Sequence, residues 1–440
     1  MSHTIPVSSL HIASNRQRRE FDPVAMMELV DSIQSKGLFH PIVIRITPGE
    51  CTACKYTLVA GERRLRAIQD LWAIGGLLRY NGQAIQEGFI PIVSLGELSP
   101  LDAEEAELEE NSRRADLTWQ ELAAANARLA QLRTKQAELA GTPVPTVNEL
   151  AQEIRGTAEG YAGERTRQEL IVAKHLGDEE IAGAKTIKEA FKILRRKEDV
   201  KRNLRLSEHV GQTFSAAEHR LFLGPFEKWM ADMPAESFDV ILTDPPYGMG
   251  AQDFGDSGGL ISSKHAYDDS FPTWDPMMCV FALGAYRVAK AQAHAYLFCD
   301  IENFKRLKEH MVAAGWTVHR TPLIWHKPNG QRAPWPEHGP QRKYEVILYA
   351  MKGKKPTTKL APDLVAYTAD ENLGHAAQKP VALYVDLLKR SVRPGDTVLD
   401  AFAGSGTVFP AAHELQCAAT GIELDPNHYG IAVKRIESLT

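Results

Sequence analysis

Long apolar runs are absent from this chain of 440 residues. No stretch reaches the length that a bilayer-spanning helix needs. The N-terminus has no apolar signal segment, so no membrane partner is expected and a cytoplasmic location is. Cysteine is scarce and odd in number, five in all, which excludes a disulfide framework as the organising device. Cys279, Cys299 and Cys417 lie in apolar stretches and read as small core residues. Cys51 and Cys54 form a single CxxC with no second pair. A hairpin loop between strands at 42–46 and 56–60 accounts for it better than zinc does, and no metal site is expected there. A strong charge of either sign is also missing. The net charge is -5, so nucleic-acid contact would have to come from local basic patches that the average hides. Such patches occur at Arg16-Arg18-Arg19, Arg63-Arg64-Arg66, Arg113-Arg114 and Arg195-Arg196-Lys197, the last running on to Lys201-Arg202. Each taken alone reads more simply as a solvated face.

What is present is ordinary globular composition, 44% hydrophobic and 24% charged, which rules out disorder of the whole chain. The length calls for two or three domains. Strands and helices alternate over about 8–100, with PIVIRI (41–46), a strand passing through Gly61 into a helix (56–71), and FIPIVSL (89–95). Helical periodicity dominates 102–139, until Pro143 and Pro145 break it. Thr146 followed three residues later by Glu149 is a capping box that opens a helix to about Arg155. A glycine-rich turn (156–163) and a second helix (164–175) give a helix-turn-helix outline with a long turn. A helix at 187–196 runs into a charged and polar segment, which reads as a linker over 199–217. From His219 onward, near-continuous apolar strands at 237–244, 293–300, 321–327, 344–351, 396–402 and 417–424 alternate with helical segments. That pattern predicts a parallel sheet covered on both faces.

Two strings in this second half carry chemistry. At 400–407, DAFAGSGT, a strand ends in Asp400 and a small-residue loop opens a helix near Thr407. Glycines there permit close backbone approach, and a helix N-terminus favours negative charge. The next strand ends in GIELD, placing Glu423 where a carboxylate can accept from both ribose hydroxyls. There is no GxGxxG, so a nucleoside without a diphosphate fits better, such as S-adenosylmethionine. At 243–248, TDPPYG, an apolar strand ends in Asp244 and a rigid turn through Pro245 and Pro246. The proline carbonyls are expected to be fixed and unopposed, and Tyr247 can stack on a planar base. Acceptors converging on an NH2 group suit amine methylation, because density drawn onto nitrogen keeps its lone pair available. Neither a metal nor a covalent nucleophile is required.

On these strings the second half, about 219–439, resembles the DNA amino-methyltransferases whose catalytic motif precedes the cofactor motif. The agreement extends to IWHKP (324–328), AQKP (377–380) and GIELDPNHYGIAVKRI (421–436). The resemblance implies a Rossmann-like domain with a mostly parallel sheet. It implies S-adenosylmethionine held by Asp400, Phe402, Gly404, Ser405, Gly406, Thr407 and Glu423, with Gln378, Lys379 and Pro380 beside its methionine end. Lys379 would pair with the cofactor carboxylate. Asp244, Pro245, Pro246 and Tyr247 would be catalytic. Aspartate at the first motif position implies adenine N6, where serine implies cytosine N4. In duplex DNA the target base must be flipped out. The family often has Gly-Asp early in the domain, near the cofactor adenine, where this chain has Gly224-Pro225, so the resemblance does not extend to that acidic contact. Sequence reading is expected between IWHKP and AQKP, with Arg332, Trp335, Arg342 and Lys343 as candidate DNA contacts; a structural loop is the equal alternative. The segment 251–263 reads as a mobile loop over the site.

The first half, about 7–117, resembles the ParB N-terminal domain on GERRLRA (61–67) and ENSRRADL (110–117), with a weaker continuation through the helix-turn-helix. The resemblance implies a ParB/sulfiredoxin-like α+β fold and CTP bound by Gly61, Glu62, Arg63 and Arg64. Glu110 and Asn111 suit Mg2+ against its phosphates. A purely structural or DNA-positioning domain is the other reading. A clamp-type domain of this kind would pair as a homodimer. The domains expected are therefore 1–117 (ParB-like), 118–198 (helical), 199–217 (linker) and 218–440 (methyltransferase). Together they would form an adenine-N6 enzyme acting on double-stranded DNA. Cytosine N4 methylation, or a non-catalytic CTP-dependent clamp with a relic methyltransferase, are the rivals.

Overall fold

The computed structural model describes residues 4–12, 23–46, 56–94, 117–157, 159–249, 269–328, 343–368 and 378–439. The CxxC at Cys51 and Cys54, the patches at Arg16 and Arg113, Glu110, Asn111, Arg332, Trp335, Arg342 and the segment 251–263 lie outside these residues. The chain divides into two compact units, Met1–Arg195 and Arg196–Thr440. Among the described residues no helix is long and apolar enough to cross a membrane.

In the first unit, β1 (Thr4–Pro6), β2 (Leu10–His11), β3 (Ile42–Ile46), β4 (Tyr56–Ala60) and β7 (Phe89–Ser94) form a mixed sheet in the order β1-β7-β3-β4-β2. A small β5–β6 pair (Arg79–Tyr80, Gln83–Ala84) precedes β7. Helices α1 (Pro23–Lys36) and α2 (Glu62–Ala73) pack against one another and join the sheet in one core. Leu65, Ile68 and Leu71 recur at helical spacing on the buried face of α2. Gly61 starts the helix at φ 98°, a left-handed conformation that suits glycine.

The helical part follows with α3 (Trp119–Ala140), α4 (Val147–Arg155), α5 (Ala162–Ala173), α6 (Glu179–Ala182) and α7 (Ile187–Val210). The Thr146/Glu149 capping box forms at the start of α4, and a second, Thr118/Glu121, opens α3. The second helix of the helix-turn-helix outline begins and ends two residues earlier than expected, at 162 and 173. Between α3, α4 and α5 lies a buried charge. The Glu169 carboxylate, 2% exposed, accepts from Arg155 Nη2 at 2.5 Å, Asn126 Nδ2 at 2.8 Å and Arg165 Nε at 3.3 Å.

The segment expected as a linker is structured. Residues 199–210 continue α7, and β8 (Thr213–Ala216) pairs antiparallel with β9 (His219–Leu223). The charges that suggested a linker face solvent, while Asn203 and Ser207 are buried and Leu206 and Val210 pack on the core of the second unit. Asn203 bonds Asn427 at 2.9 Å and accepts from Lys434 at 2.6 Å. A Cβ on Gly430 would fall 2.4 Å from the Asn203 carbonyl oxygen, so glycine sets this close approach.

The second unit adds α8 (Phe226–Asp232), β10 (Phe238–Thr243), α9 (Phe271–Val288), β11 (Ala289–Cys299), α10 (Phe304–Ala313), β12 (Thr317–Val318), β13 (Leu323–His326), β14 (Tyr344–Lys352) and β15 (Leu364–Ala366). It ends with α11 (Val381–Lys389), β16 (Thr397–Asp400), α12 (Val408–Glu414), β17 (Ala418–Glu423) and α13 (Pro426–Glu437). The sheet order is β15-β13-β14-β11-β10-β16-β17-β9-β8. Strands β11, β10, β16, β17 and β9 are parallel, while β14 enters antiparallel to β11. All six residues of β10 are buried, the mark of a central strand covered on both faces. Cys299 and Cys417 are buried as expected; Cys279, on α9, is exposed.

Replacing Glu169 by alanine should leave Arg155 and Asn126 without their buried partner and destabilise the helical part by about 3 kcal/mol. Amide exchange should accelerate in α3, α4 and α5 but not in β10 or β16. Unchanged protection there would show that this carboxylate does not hold the helices together.

Candidate active site

Open parallel sheets bind ligands beyond the carboxyl ends of their strands, where the strand order reverses. Here β10 is followed through α9 by β11 on one side, and β16 through α12 by β17 on the other. The crevice therefore opens between β10 and β16, the first followed directly by Asp244 and the second ending in Asp400. At this edge the Thr243 hydroxyl links them. Thr243 Oγ1 donates to Asp400 Oδ1 at 2.6 Å, and the Phe402 N–H bonds both of these oxygens at 3.2 Å. Asp400 is 1% exposed, and burial pushes its carboxyl up to about 7.

The loop after β16 turns through Gly404 (φ 54°) and Gly406 (φ 79°). A Cβ on Gly406 would meet Phe409 at 2.8 Å and Ala432 at 2.9 Å, so no larger residue fits beneath the loop. Phe402 leans on Phe226 and Phe281, with ring centroids 5.0 and 5.6 Å away. At the end of β17 the two oxygens of Glu423 accept the Gly404 and Asp425 N–H groups, each at 2.7 Å. Burial pushes this carboxyl up to about 7 as well. Each carboxylate oxygen keeps a lone pair, so Glu423 retains capacity for two ribose hydroxyls. Behind the loop, Ser405 Oγ and Gln378 Oε1 lie 3.4 Å apart, Thr407 Oγ1 bonds the Lys379 carbonyl at 3.4 Å, and Pro380 caps α11. The cofactor candidates thus converge on one loop and its support. The substitute at Gly224-Pro225 caps α8, with the Gly224 N–H on the Glu423 carbonyl at 2.8 Å.

The DPPY turn is held from below. Trp274 Nε1 donates to the Pro246 carbonyl at 2.7 Å, Asn303 Nδ2 to the Tyr247 carbonyl at 2.6 Å, and the Gly248 N–H to Asp269 at 2.8 Å. The expectation that both proline carbonyls are unopposed fails at Pro246: the indole of α9 reaches it from the interior. No described residue donates to the Pro245 carbonyl. The Tyr247 hydroxyl lies 2.9 Å from Asp244 Oδ1 and 3.0 Å from Glu345 Oε2. Lys379 Nζ sits 2.5 Å from Asp244 Oδ2 and 3.5 Å from Glu345 Oε2, over the Tyr247 and Phe298 rings. Lys327 bonds the far oxygen of Glu345. Burial pushes Asp244 up despite Lys379. Burial acts on Glu345 too, but the Lys379 and Lys327 ammonium groups overcome it and hold that carboxyl well below its usual range. Two neighbouring carboxylates are driven apart, a mark of functional sites.

Lys379 was expected to face a cofactor carboxylate; here its ammonium pairs with Asp244. Glu345 and Lys327 were not singled out. The strand YEVILYAM reads as core, and its acidic second residue gains meaning only because β14 runs antiparallel, which puts its beginning at the ligand edge. Lys343, the described member of the DNA-contact set, donates to the Pro328 carbonyl at 3.4 Å. In the first unit, Gly61, Glu62, Arg63 and Arg64 come together at the start of α2. Arg64 bonds the carbonyls of His40 and Pro41 at 2.9 and 2.6 Å, and Glu62 bonds Arg66 at 2.7 Å.

The fold and the site define a Rossmann-like domain with an acidic, aromatic centre at its switch point. Residues 238–434 match the DNA methylase family of the amino N6/N4 type, and residues 1–73 match the ParB N-terminal domain. The chain carries a ParB N-terminal domain followed by a DNA methylase domain of that family. It is 24% identical over 245 residues to the type II methyltransferase M.HpaI of Haemophilus parainfluenzae, covering 50% of this chain and 75% of that one. It is 34% identical over 138 residues to a chromosome-partitioning protein ParB of Mycobacterium leprae, covering 30% of this chain and 41% of that relative's length. The solved M1.HpyAVI–SAM complex is 20% identical, with 50% of this chain and 98% of that chain covered and a TM-score of 0.38.

Asp400 binds its proton more tightly folded than unfolded. Its contribution to stability is full below about pH 4 and is lost as the pH rises through about 7. Asp400→Asn keeps an acceptor for Thr243 without a charge. The cofactor-free variant should therefore gain in melting temperature over wild type between pH 5 and pH 8. A constant difference across that interval would show that Asp400 stays ionised in the fold.

Proposed function

We propose that the second unit transfers a methyl group from S-adenosylmethionine to the exocyclic amine of a base flipped out of DNA, and that the base is adenine, methylated at N6. The observation that carries this reading is the meeting of two acceptor sets across one crevice: Asp244 and the Pro245 carbonyl just after β10, and the Gly404–Glu423 cradle at the ends of β16 and β17. Aspartate at the head of DPPY supports the choice of base, and the match to the DNA methylase family supports DNA as the substrate. When bound, S-adenosylmethionine supplies an electrophilic methyl on a sulfonium. Glu423 would hold the ribose, and the two glycines would let the backbone approach. Asp244 and the Pro245 carbonyl would accept from the amine N–H groups and orient the nitrogen lone pair for in-line attack. The methyl would pass to the amine nitrogen as its bond to sulfur breaks, leaving the electron pair on a neutral thioether, and the amine would release one proton to solvent. Tyr247, fixed by its hydroxyl and by Asn303, would stack on the extruded ring.

Purified protein given tritiated S-adenosylmethionine and unmethylated genomic DNA should place label in N6-methyladenine. Asp244→Ala should lower the rate by about 10²-fold or more. Label in N4-methylcytosine would correct the base, and absence of label would overturn the reading.

The first unit is proposed to position DNA through its helix-turn-helix outline. Arg167 and Lys174 are exposed on and just after α5. The double change Arg167→Glu/Lys174→Glu should weaken DNA binding and flatten the log K against log salt slope by about 2. An unaltered slope would remove α5 from the interface.

A further inference from the structure

The reading above gives Asp244 and Tyr247 a task but leaves Glu345 and Lys327 without one. Asp244 and Glu345 flank a single tyrosine hydroxyl, at 2.9 and 3.0 Å. That hydroxyl carries one proton and donates fully to only one of them at a time. The Lys379 ammonium is shared in the same way, 2.5 Å from one carboxylate and 3.5 Å from the other. In this arrangement Asp244 is already taken by a cation. An incoming amine would compete with that ammonium, and the positive charge that grows on the amine nitrogen during methyl transfer would lie beside it. Glu345 offers both groups another seat. It is anchored by Lys327, whose partly exposed side chain leads to solvent, so Glu345 stays charged in a buried place.

We propose that Glu345 is a positioning residue for amine methylation: as the substrate amine arrives it takes over the Lys379 ammonium and the Tyr247 hydroxyl, freeing the Asp244 oxygens. The inference rests on the amino-methyltransferase reading of this site. Six groups among the described residues face Asp244: Tyr247 from its own turn, Cys299 from β11, Glu345 from β14, Lys379 from the segment before α11, Tyr384 from α11 and Asp400 from β16. The negative charge of Glu345 raises Asp244. Without it, Lys379 would belong to Asp244 alone, and that carboxylate would ionise at lower pH yet be less available.

The test compares wild type with Glu345→Gln, Glu345→Asp, Tyr247→Phe and the Tyr247→Phe/Glu345→Gln double variant. Label transfer gives kcat, and titration gives S-adenosylmethionine binding. Glu345→Gln should lose about 10²-fold in kcat while its cofactor dissociation constant stays within about threefold of wild type. Its kcat should persist to lower pH on the acid side, and Glu345→Asp should recover part of the rate. The double variant should be slower than the slower single variant by no more than about twofold, as expected of residues acting as a unit. Wild-type kcat in Glu345→Gln, losses that multiply in the double variant, or a defect confined to cofactor binding would each overturn the proposal. If Glu345→Gln does not fold, Glu345→Asp decides, and a wild-type rate and pH profile there reject it. Active wild type with an unaffected Glu345→Gln removes this inference alone. Inactive wild type removes the functional reading, and this inference with it.

Discussion

The hydrogen bond from Thr243 to Asp400 is the joint on which the second unit turns. It closes the gap between β10 and β16, the two strands that diverge at the switch point. Both partners are buried, so neither can exchange this bond for one with water, and the pair keeps its geometry. Both candidate ligand-binding turns are aimed from there. The DPPY turn leaves one side of the joint and the glycine loop leaves the other. The joint also has an electrostatic cost, since it adds Asp400 to a crevice that already holds Asp244 and Glu345, with Glu423 at its far end. Two ammonium groups of the chain itself, Lys379 and Lys327, offset part of that buried carboxylate.

Much of this was legible in the residues. β10 and β16 are apolar, short and end in acids; the glycines that follow Asp400 point to a loop pressed against a ligand. The capping box at Thr146 fixed the start of α4 because hydroxyl and carboxylate at that spacing satisfy each other's backbone partners. What was not legible is pairing across the chain. Trp274 and Asn303 read as ordinary members of helical segments, yet they lock the DPPY turn from elements far away in sequence. Glu345 needed the direction of β14, and direction is set by sheet topology, which local pattern does not encode.

The supposed linker shows a different limit. Charge density in RRKEDVKRN reads as solvated chain, and those side chains are indeed solvated. A helix exposes one face and buries another, however, and the buried face here is sparse: Asn203, Leu206, Ser207 and Val210. A weak apolar stripe beside strong charge is easily taken for none.

The pairing of β8 with β9 bears on how the second unit is handled apart from the first. A fragment beginning after residue 217 would keep β9 but lose the strand that covers its outer edge. It would also strip Leu206, Val210 and Phe214 from the core they pack on. Such an edge, with its backbone donors and acceptors bared beside apolar side chains, is a template for self-association. The catalytic half is thus shielded from aggregation by residues whose composition looks like spacer.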